Sequence, residues 1–377
     1  MGKFLSVLVI VLVMLAVSYR LREYGLLKRL LQKPGAGGML FLDVTIPYSE
    51  NRPAQYTDQL LQGLCTLGGH DYVLNIHVEK DSPTSLRIGG PKELVPRMEA
   101  MVRAAYPTAS LVHMEYSPPP SFNFVCFVPQ DLYLPFRNYA YDRKEFPVDP
   151  LSQTITLLSE SVAEGESLDF FIFVRPAAEK WKKKLSKGSL SPLTMGLGMG
   201  NRPSVGGVTD AFRLVKEKVR RFWRGGLWGR RGASTQGRQS PGEREEEREV
   251  RKRIEDKLRR RGMHAMIFLV SETQPPPVLT SLGQSCLDVM IGERTNVFVP
   301  YPLKGKRRQA LLSRCFLSFS VAEVAFFSPA NLAGEPPVLT TAEIATMWHV
   351  ADAGVEDPSV QKGTLRELPP PINLPLL

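Results

Sequence analysis

"LDFFIFV", Leu168–Val174, is the stretch on which the fold turns. Three phenylalanines and an isoleucine in seven residues are strand formers, and so dense an aromatic run predicts a central strand of a sheet. On its N-terminal side, "FNFVCFV" (Phe122–Val128) reads as another strand. "PLSQTITLLSESVA" (Pro150–Ala163) reads as a helix, with Asp149 as N-cap and Pro150 as its first residue. On its C-terminal side the periodic pattern stops across residues 177–242. It resumes as "EREEEREVRKRIEDKLRRRG" (Glu243–Gly262), a charged helix in which Val250, Ile254 and Leu258 recur every fourth residue, followed by the strand "MHAMIFLV" (Met263–Val270). The order fits a split βαβ unit with an insertion before its second helix.

The chain upstream repeats this grammar. "LFLDVTI" (Leu40–Ile46) is a strand bounded by Pro47. "AQYTDQLLQGLCTL" (Ala54–Leu67) is a helix with Tyr56, Leu60, Leu64 and Leu67 on one face, ended by Gly68-Gly69. "YVLNIHV" (Tyr72–Val78) and "SLRIG" (Ser85–Gly89) form a hairpin. A helix from Pro96 to Tyr106 turns Met98, Met101, Val102 and Ala105 inward, and "SLVHMEY" (Ser110–Tyr116) is a strand. This is β-α-β-β-α-β, in which both helices cover one face of a four-stranded sheet. His77 alternates with Asn75 on the polar side of its strand and reads as a solvated histidine.

The N-terminus carries "FLSVLVIVLVMLAVSYRLREYGLLKRLLQK", Phe4–Lys33. Its greasy half makes roughly 24 Å of helix against a hydrocarbon core about 30 Å thick, with Lys3, Arg20 and Arg22 able to snorkel and Tyr19 at interface depth. A retained anchor is favoured over a cleaved signal peptide, because the n-region holds only Lys3 and arginines follow the one candidate cleavage site. Lys3 lies before the span; Arg20, Arg22, Lys28, Arg29 and Lys33 follow it. The positive-inside rule then predicts a single-pass protein of the cytoplasmic membrane, N-terminus outside and C-terminal body in the cytoplasm.

The expected fold is therefore α+β: an N-terminal transmembrane helix, two split βαβ (ferredoxin-like) units and a small helical tail. Residues 1–33 are the anchor and juxtamembrane helix and 34–39 a hinge. Residues 40–117 are the first unit, and 121–176 with 243–271 the second. Residues 177–242 are a basic, largely disordered insertion, 272–350 a helical tail region and 351–377 a Pro-rich C-terminus. In the tail, "TTAEIATMWHV" opens with a capping box, Thr340 to Glu343, and His349 reads as a partly buried terminal residue.

The net charge of +10 is unevenly spread. Glu179–Gly262 holds 24 Lys/Arg against 10 Asp/Glu, so the rest of the chain is slightly acidic. Within that segment Phe212, Val215, Val219 and Phe222 share a helical face. Lys216, Lys218, Arg220, Arg221 and Arg224 surround it, with Trp223 and Trp228 nearby. Basic residues beside tryptophans suit an anionic headgroup layer; the same charges could grip nucleic-acid phosphates, or simply be a solvated loop.

Catalytic signatures are missing from the sequence. "GLGMG" (Gly196–Gly200) lacks the Gly-Lys-Ser/Thr ending of a phosphate loop, and there is no HExxH, no GxSxG and no His/Cys cluster at ligand spacing. Cys65, Cys126, Cys286 and Cys315 sit in apolar contexts without CxxC rhythm, as buried thiols in a reducing compartment do. No enzyme, cofactor or metal is expected.

Several stretches together carry a resemblance: "FLDVTIP" (Phe41–Pro47), "YPTASL" (Tyr106–Leu111), "FPVDPLSQTITLLSESVAEGESLDFFIFVRPA" (Phe146–Ala177) and "LTTAEIATMWHV" (Leu339–Val350). In these the chain resembles an uncharacterised membrane-anchored module of candidate-phylum and other poorly cultured bacteria, found ahead of type IV secretion or conjugative DNA-transfer ATPases. The resemblance implies structural roles: Asp149 and Pro150 starting a helix, Gly165 turning the chain, Arg175 holding an acidic partner at the sheet edge, Glu343 and His349 in the last motif. It also implies a non-enzymatic docking module. The chain has no Walker A sequence, so the expected partner is a separately encoded P-loop ATPase, beside the cytoplasmic membrane and possible DNA. The alternative is a membrane-tethered nucleic-acid-binding protein acting through the basic insertion.

Overall fold

The computed structural model describes residues 39–45, 53–80, 82–116, 121–130, 134–142, 144, 146, 148–182, 252–292, 295–301, 313, 316–317, 319 and 337–350. The elements run β1 (Met39–Thr45), α1 (Pro53–Leu64), β2 (Tyr72–Glu79), β3 (Ser85–Pro91), α2 (Val95–Ala105), β4 (Ser110–Glu115) and β5 (Asn123–Pro129). They continue with α3 (Pro150–Ser161), β6 (Ser167–Pro176), β7 (Gly262–Ser271), α4 (Pro276–Asp288), β8 (Phe298–Pro300), β9 (Val338–Thr340) and α5 (Thr341–Met347).

The chain divides into two compact units, Met1–Glu179 with Arg259–Leu377, and Lys180–Leu258. In the second unit the described residues, 180–182 and 252–258, are helical. The first unit holds a nine-stranded sheet in the order β4-β1-β3-β2-β6-β7-β5-β8, with β9 also paired to β7. The described ladders are antiparallel, including the middle ones, where Tyr72↔Val174 runs to Glu79↔Ser167 and Leu168↔Ser271 runs to Pro176↔Met263.

The aromatic run of β6 explains why it lies in the middle. Successive side chains of a strand point to opposite faces. Phe170 and Ile172 enter a core shared with Leu60 and Leu64 of α1, Met98 and Val102 of α2, Ile155 of α3, Leu279 of α4 and Ile344 of α5. Phe171 and Phe173 enter a second core on the other face, with Phe41, Phe124, Phe268, Phe316 and Phe319. A strand buried on both sides has no polar face to show, hence its near-continuous apolar sequence. Each such side chain contributes about 1.5–3 kcal/mol by leaving water.

Two corrections follow. The expected pair of split βαβ units with a helical tail is replaced by one α+β sheet structure. β2 and β6, expected in separate units, hydrogen-bond along their whole length, and one continuous core underlies both halves. The supposed tail is not a tail, since β9 joins the sheet through β7 and α5 packs into that core. The second correction concerns the membrane: among the described residues no helix is long and apolar enough to cross one. The Phe4–Lys33 stretch lies outside the described residues, and no described element carries the anchor, the single-pass topology or the cytoplasmic-membrane placement.

Candidate functional site

Chemistry-bearing side chains gather at one end of the second face. Asp43 of β1 stands opposite Arg87 of β3, Arg87 opposite Asn75 of β2, and His77 of β2 opposite Asp169 of β6. Asp169 Oδ1 accepts from Asn75 Nδ2 at 2.9 Å and lies 2.9 Å from His77 Nδ1. Arg87 Nε is 3.7 Å from Asp43 Oδ2. His77, expected to be solvated, is therefore a partly buried residue held by a carboxylate from a strand 92 positions away. Within the row, Asp43 Oδ1, Asn75 Oδ1 and Arg87 Nε are buried without a hydrogen-bond partner, as is the Tyr116 hydroxyl nearby. Burial, reinforced by Asp169, pushes the Tyr116 phenol well above its ordinary range.

This row orients an imidazole, with Ser85 of β3 opposite His77 in register. Burial pushes the Cys65 thiol up to about 11 and the Cys286 thiol up to about 12, so neither is a thiolate at neutral pH. Among the described residues no group of three His, Cys, Asp or Glu side chains could hold a metal ion.

The residues singled out in the sequence divide sharply. Asp149 Oδ1 accepts from Leu151 N at the start of α3, with Pro150 as the first helical residue, and lies 2.9 Å from His349 Nε2. His349 is fully buried, its Nδ1 2.8 Å from Ala345 O. Glu343 completes the capping box with Thr340, and its Oε1 accepts from Phe136 N at 2.7 Å. Gly165 has φ +73°, a left-handed turn leading into β6. Arg175 forks onto Asp71, its Nε donating to Oδ1 at 2.7 Å and Nη2 to Oδ2. That pair sits at the end of an interior strand, not at the edge of the sheet. Lys216, Lys218, Arg220, Arg221, Phe222, Trp223, Arg224 and Trp228 lie outside the described residues.

What sequence reading missed is the edge. β4 pairs with β1 on one side, and among the described residues no strand pairs its other side. Of its six residues, Ser110, Val112, His113 and Glu115 are exposed, Val112 by 60%. Charges of both signs frame it. Lys92 Nζ donates to Glu115 Oε1 at 2.8 Å, Arg103 Nη2 to Glu99 Oε1 at 2.9 Å, and His113 Nε2 lies 3.4 Å from Glu99 Oε2. The Arg103 hydrogen bond, helped by His113, lowers the Glu99 carboxyl below its ordinary value; Lys92 does the same for Glu115. The signal was present in "SLVHME": half its residues are polar, where β6 and β7 are almost wholly apolar.

No protein-family model matches this chain, and no curated protein matches its sequence. With no matching family model or curated protein and no membrane-spanning helix among the described residues, three readings are withdrawn: the resemblance to a secretion-associated membrane module, the ATPase, membrane and DNA partners it implied, and the membrane-tethered nucleic-acid alternative.

Proposed function

We propose that this chain is a non-catalytic protein-binding module that receives an extended segment of a partner along the free side of β4. One observation carries the reading: a regular six-residue strand whose outer edge no strand among the described residues pairs, with an exposed valine at its centre, in a sheet whose interior strands are buried on both faces. The outer edge of such a strand presents alternating N–H and C=O groups that a second strand can pair without distortion. Natural edges are usually blunted by lysine, proline or a bulge, and the Ser110–Glu115 ladder contains none of these. Absence of catalysis is part of the proposal. The Cys65 and Cys286 thiols are held protonated by burial, and the Asp149–His349 pair is sealed from any substrate.

The partner segment that fits is extended, apolar where it meets Val112, and charged where it flanks His113 and Glu115. A displayed library of random peptides, selected on the full chain, tests this. Alternating apolar and charged peptides should be enriched and should lose binding to the Val112→Lys chain. No enrichment on a chain that is monomeric in solution, or peptides indifferent to that substitution, overturns the reading.

A further inference from the structure

The edge of β4 is also complementary to itself. In an antiparallel pair, residues directly opposite point to the same face with Cβ atoms about 4.5–5.5 Å apart. Take two copies of β4 related by a two-fold axis through Met114 and perpendicular to the sheet. Met114 then faces its own copy, His113 faces the second copy's Glu115, and Glu115 faces the second copy's His113. All four of these side chains lie on the helix-covered face, because positions 113 and 115 share a parity. Within one chain Lys92 already holds Glu115, and Glu99 holds His113 while also bound to Arg103. Joined at this register, carboxylates alternate with nitrogen-bearing side chains along the seam: Lys92, Glu115, then the second copy's His113, Glu99 and Arg103. The same alternation recurs across the axis in the opposite sense. Shifting the axis to His113 instead sets two histidines against each other, and shifting it to Val112 sets His113 against Leu111. Charge pairing selects the axis at Met114.

We infer that the partner of β4 is a second copy of this chain, joined edge to edge at Met114 in a continuous antiparallel sheet. The inference rests on the reading of β4 as a docking edge and names its occupant. Two-fold closure uses up the β4 edge of both copies, so pairing through β4 stops at a dimer instead of growing into a fibre.

Sedimentation velocity on the full chain at micromolar concentration reads the outcome directly. The wild type should sediment with twice the 42.1 kDa mass of one chain. Glu115→Lys sets a lysine against His113 twice, and His113→Glu opposes two pairs of carboxylates; each should shift the population to monomer. His113→Lys keeps a cation beside Glu99 and opposite the second copy's Glu115, and should keep the dimer. Val112→Lys, at a position already exposed, should also give monomer with an unchanged circular-dichroism spectrum.

A monomeric wild type overturns the inference. So does a dimer that persists through Glu115→Lys and His113→Glu, or a His113→Lys chain that is monomeric although folded. The peptide selection separates this from the broader reading. A monomeric wild type that still captures peptides in a Val112-dependent way sinks self-pairing and leaves the docking edge standing; failure of both experiments removes both.

Discussion

His349 Nε2 lies 2.9 Å from Asp149 Oδ1, two hundred positions away along the chain, and both side chains are shielded from solvent. Ala345 O can only accept, so His349 Nδ1 donates to it, which leaves Nε2 to meet the carboxylate. The same Asp149 oxygen accepts from Leu151 N at the start of α3. One carboxylate thus ties the beginning of α3 to the residues just after α5. Asp149→Ala removes the cap and leaves the buried imidazole unpaired, at an expected cost of about 3–5 kcal/mol in urea unfolding. Asp149→Asn keeps an acceptor for Leu151 N and a polar group beside Nε2, and should lose clearly less. Equal losses for the two variants would show that the hydrogen bonds, as distinct from side-chain volume, contribute little.

Gly283 lies where α4 crosses β5. A Cβ built there would sit 2.4 Å from Phe127 Cε2, closer than carbon atoms approach without displacement. Phe127 is fully buried and has no room to retreat. Gly283→Ala should therefore destabilise by about 1–3 kcal/mol despite the better helix propensity of alanine. A neutral or stabilising substitution, measured by thermal melting, would mean that α4 stands further from the sheet than described.

Alkaline stability carries a clear sign. Burial raises the Cys286 thiol from its ordinary 9.0 to about 12. The unfolded chain loses this proton near pH 9, whereas the folded chain keeps it far longer. The contribution is fully present below that value and is lost as pH rises from 9 towards 12. Cys65, raised to about 11, and Tyr72, raised from 10.0 to about 12, act in the same direction, each chiefly through burial. The urea midpoint should fall between about pH 8 and about pH 10.5, and the fall should be shallower in Cys286→Ala relative to that variant's own value at the lower pH. A flat wild-type profile contradicts the burial of these groups.

Tyr116 packs its ring against Phe41, Phe171 and Phe319, yet its hydroxyl is buried without a hydrogen-bond partner. Removing an unsatisfied buried polar group relieves a desolvation penalty of about 1–3 kcal/mol. Tyr116→Phe should be neutral or stabilising on thermal melting. A loss of more than about 1 kcal/mol would instead reveal a hydrogen bond made by that hydroxyl.

Individual elements were legible in the sequence because they depend on local periodicity and caps. "YVLNIHV" falls within β2 and "SLVHMEY" spans β4; Asp149, and Thr340 with Glu343, start their helices. Pairing between distant strands was not legible. Nothing in the alternation of Tyr72–Glu79 says that Ser167–Pro176 lies beside it, so the two halves read as separate units and His77 as a solvated side chain. Its partner Asp169 belongs to that unseen neighbour. His349 was misjudged for the same reason: its burial comes from Asp149 and from Tyr139, whose ring lies 5.5 Å away, both far off in sequence. The edge character of β4 depends on what fails to pair with it, and local pattern carries that only weakly.

The position of β6 between β2 and β7 also fixes an order of events during synthesis. Phe171 and Phe173 can be covered on one flank once the chain has been made to Pro176, because β2 is already present. Their other flank waits for Gly262–Ser271, and β9 arrives later still. At roughly 5–20 residues per second, translation leaves this aromatic strand half-paired for several seconds. During that interval "LDFFIFV" is an apolar, β-prone segment with an open side, the kind that joins to other chains. Slower elongation between Pro176 and Gly262 would lengthen the exposure, and yield of native protein would depend on ribosome speed there as well as on the stability of the finished sheet.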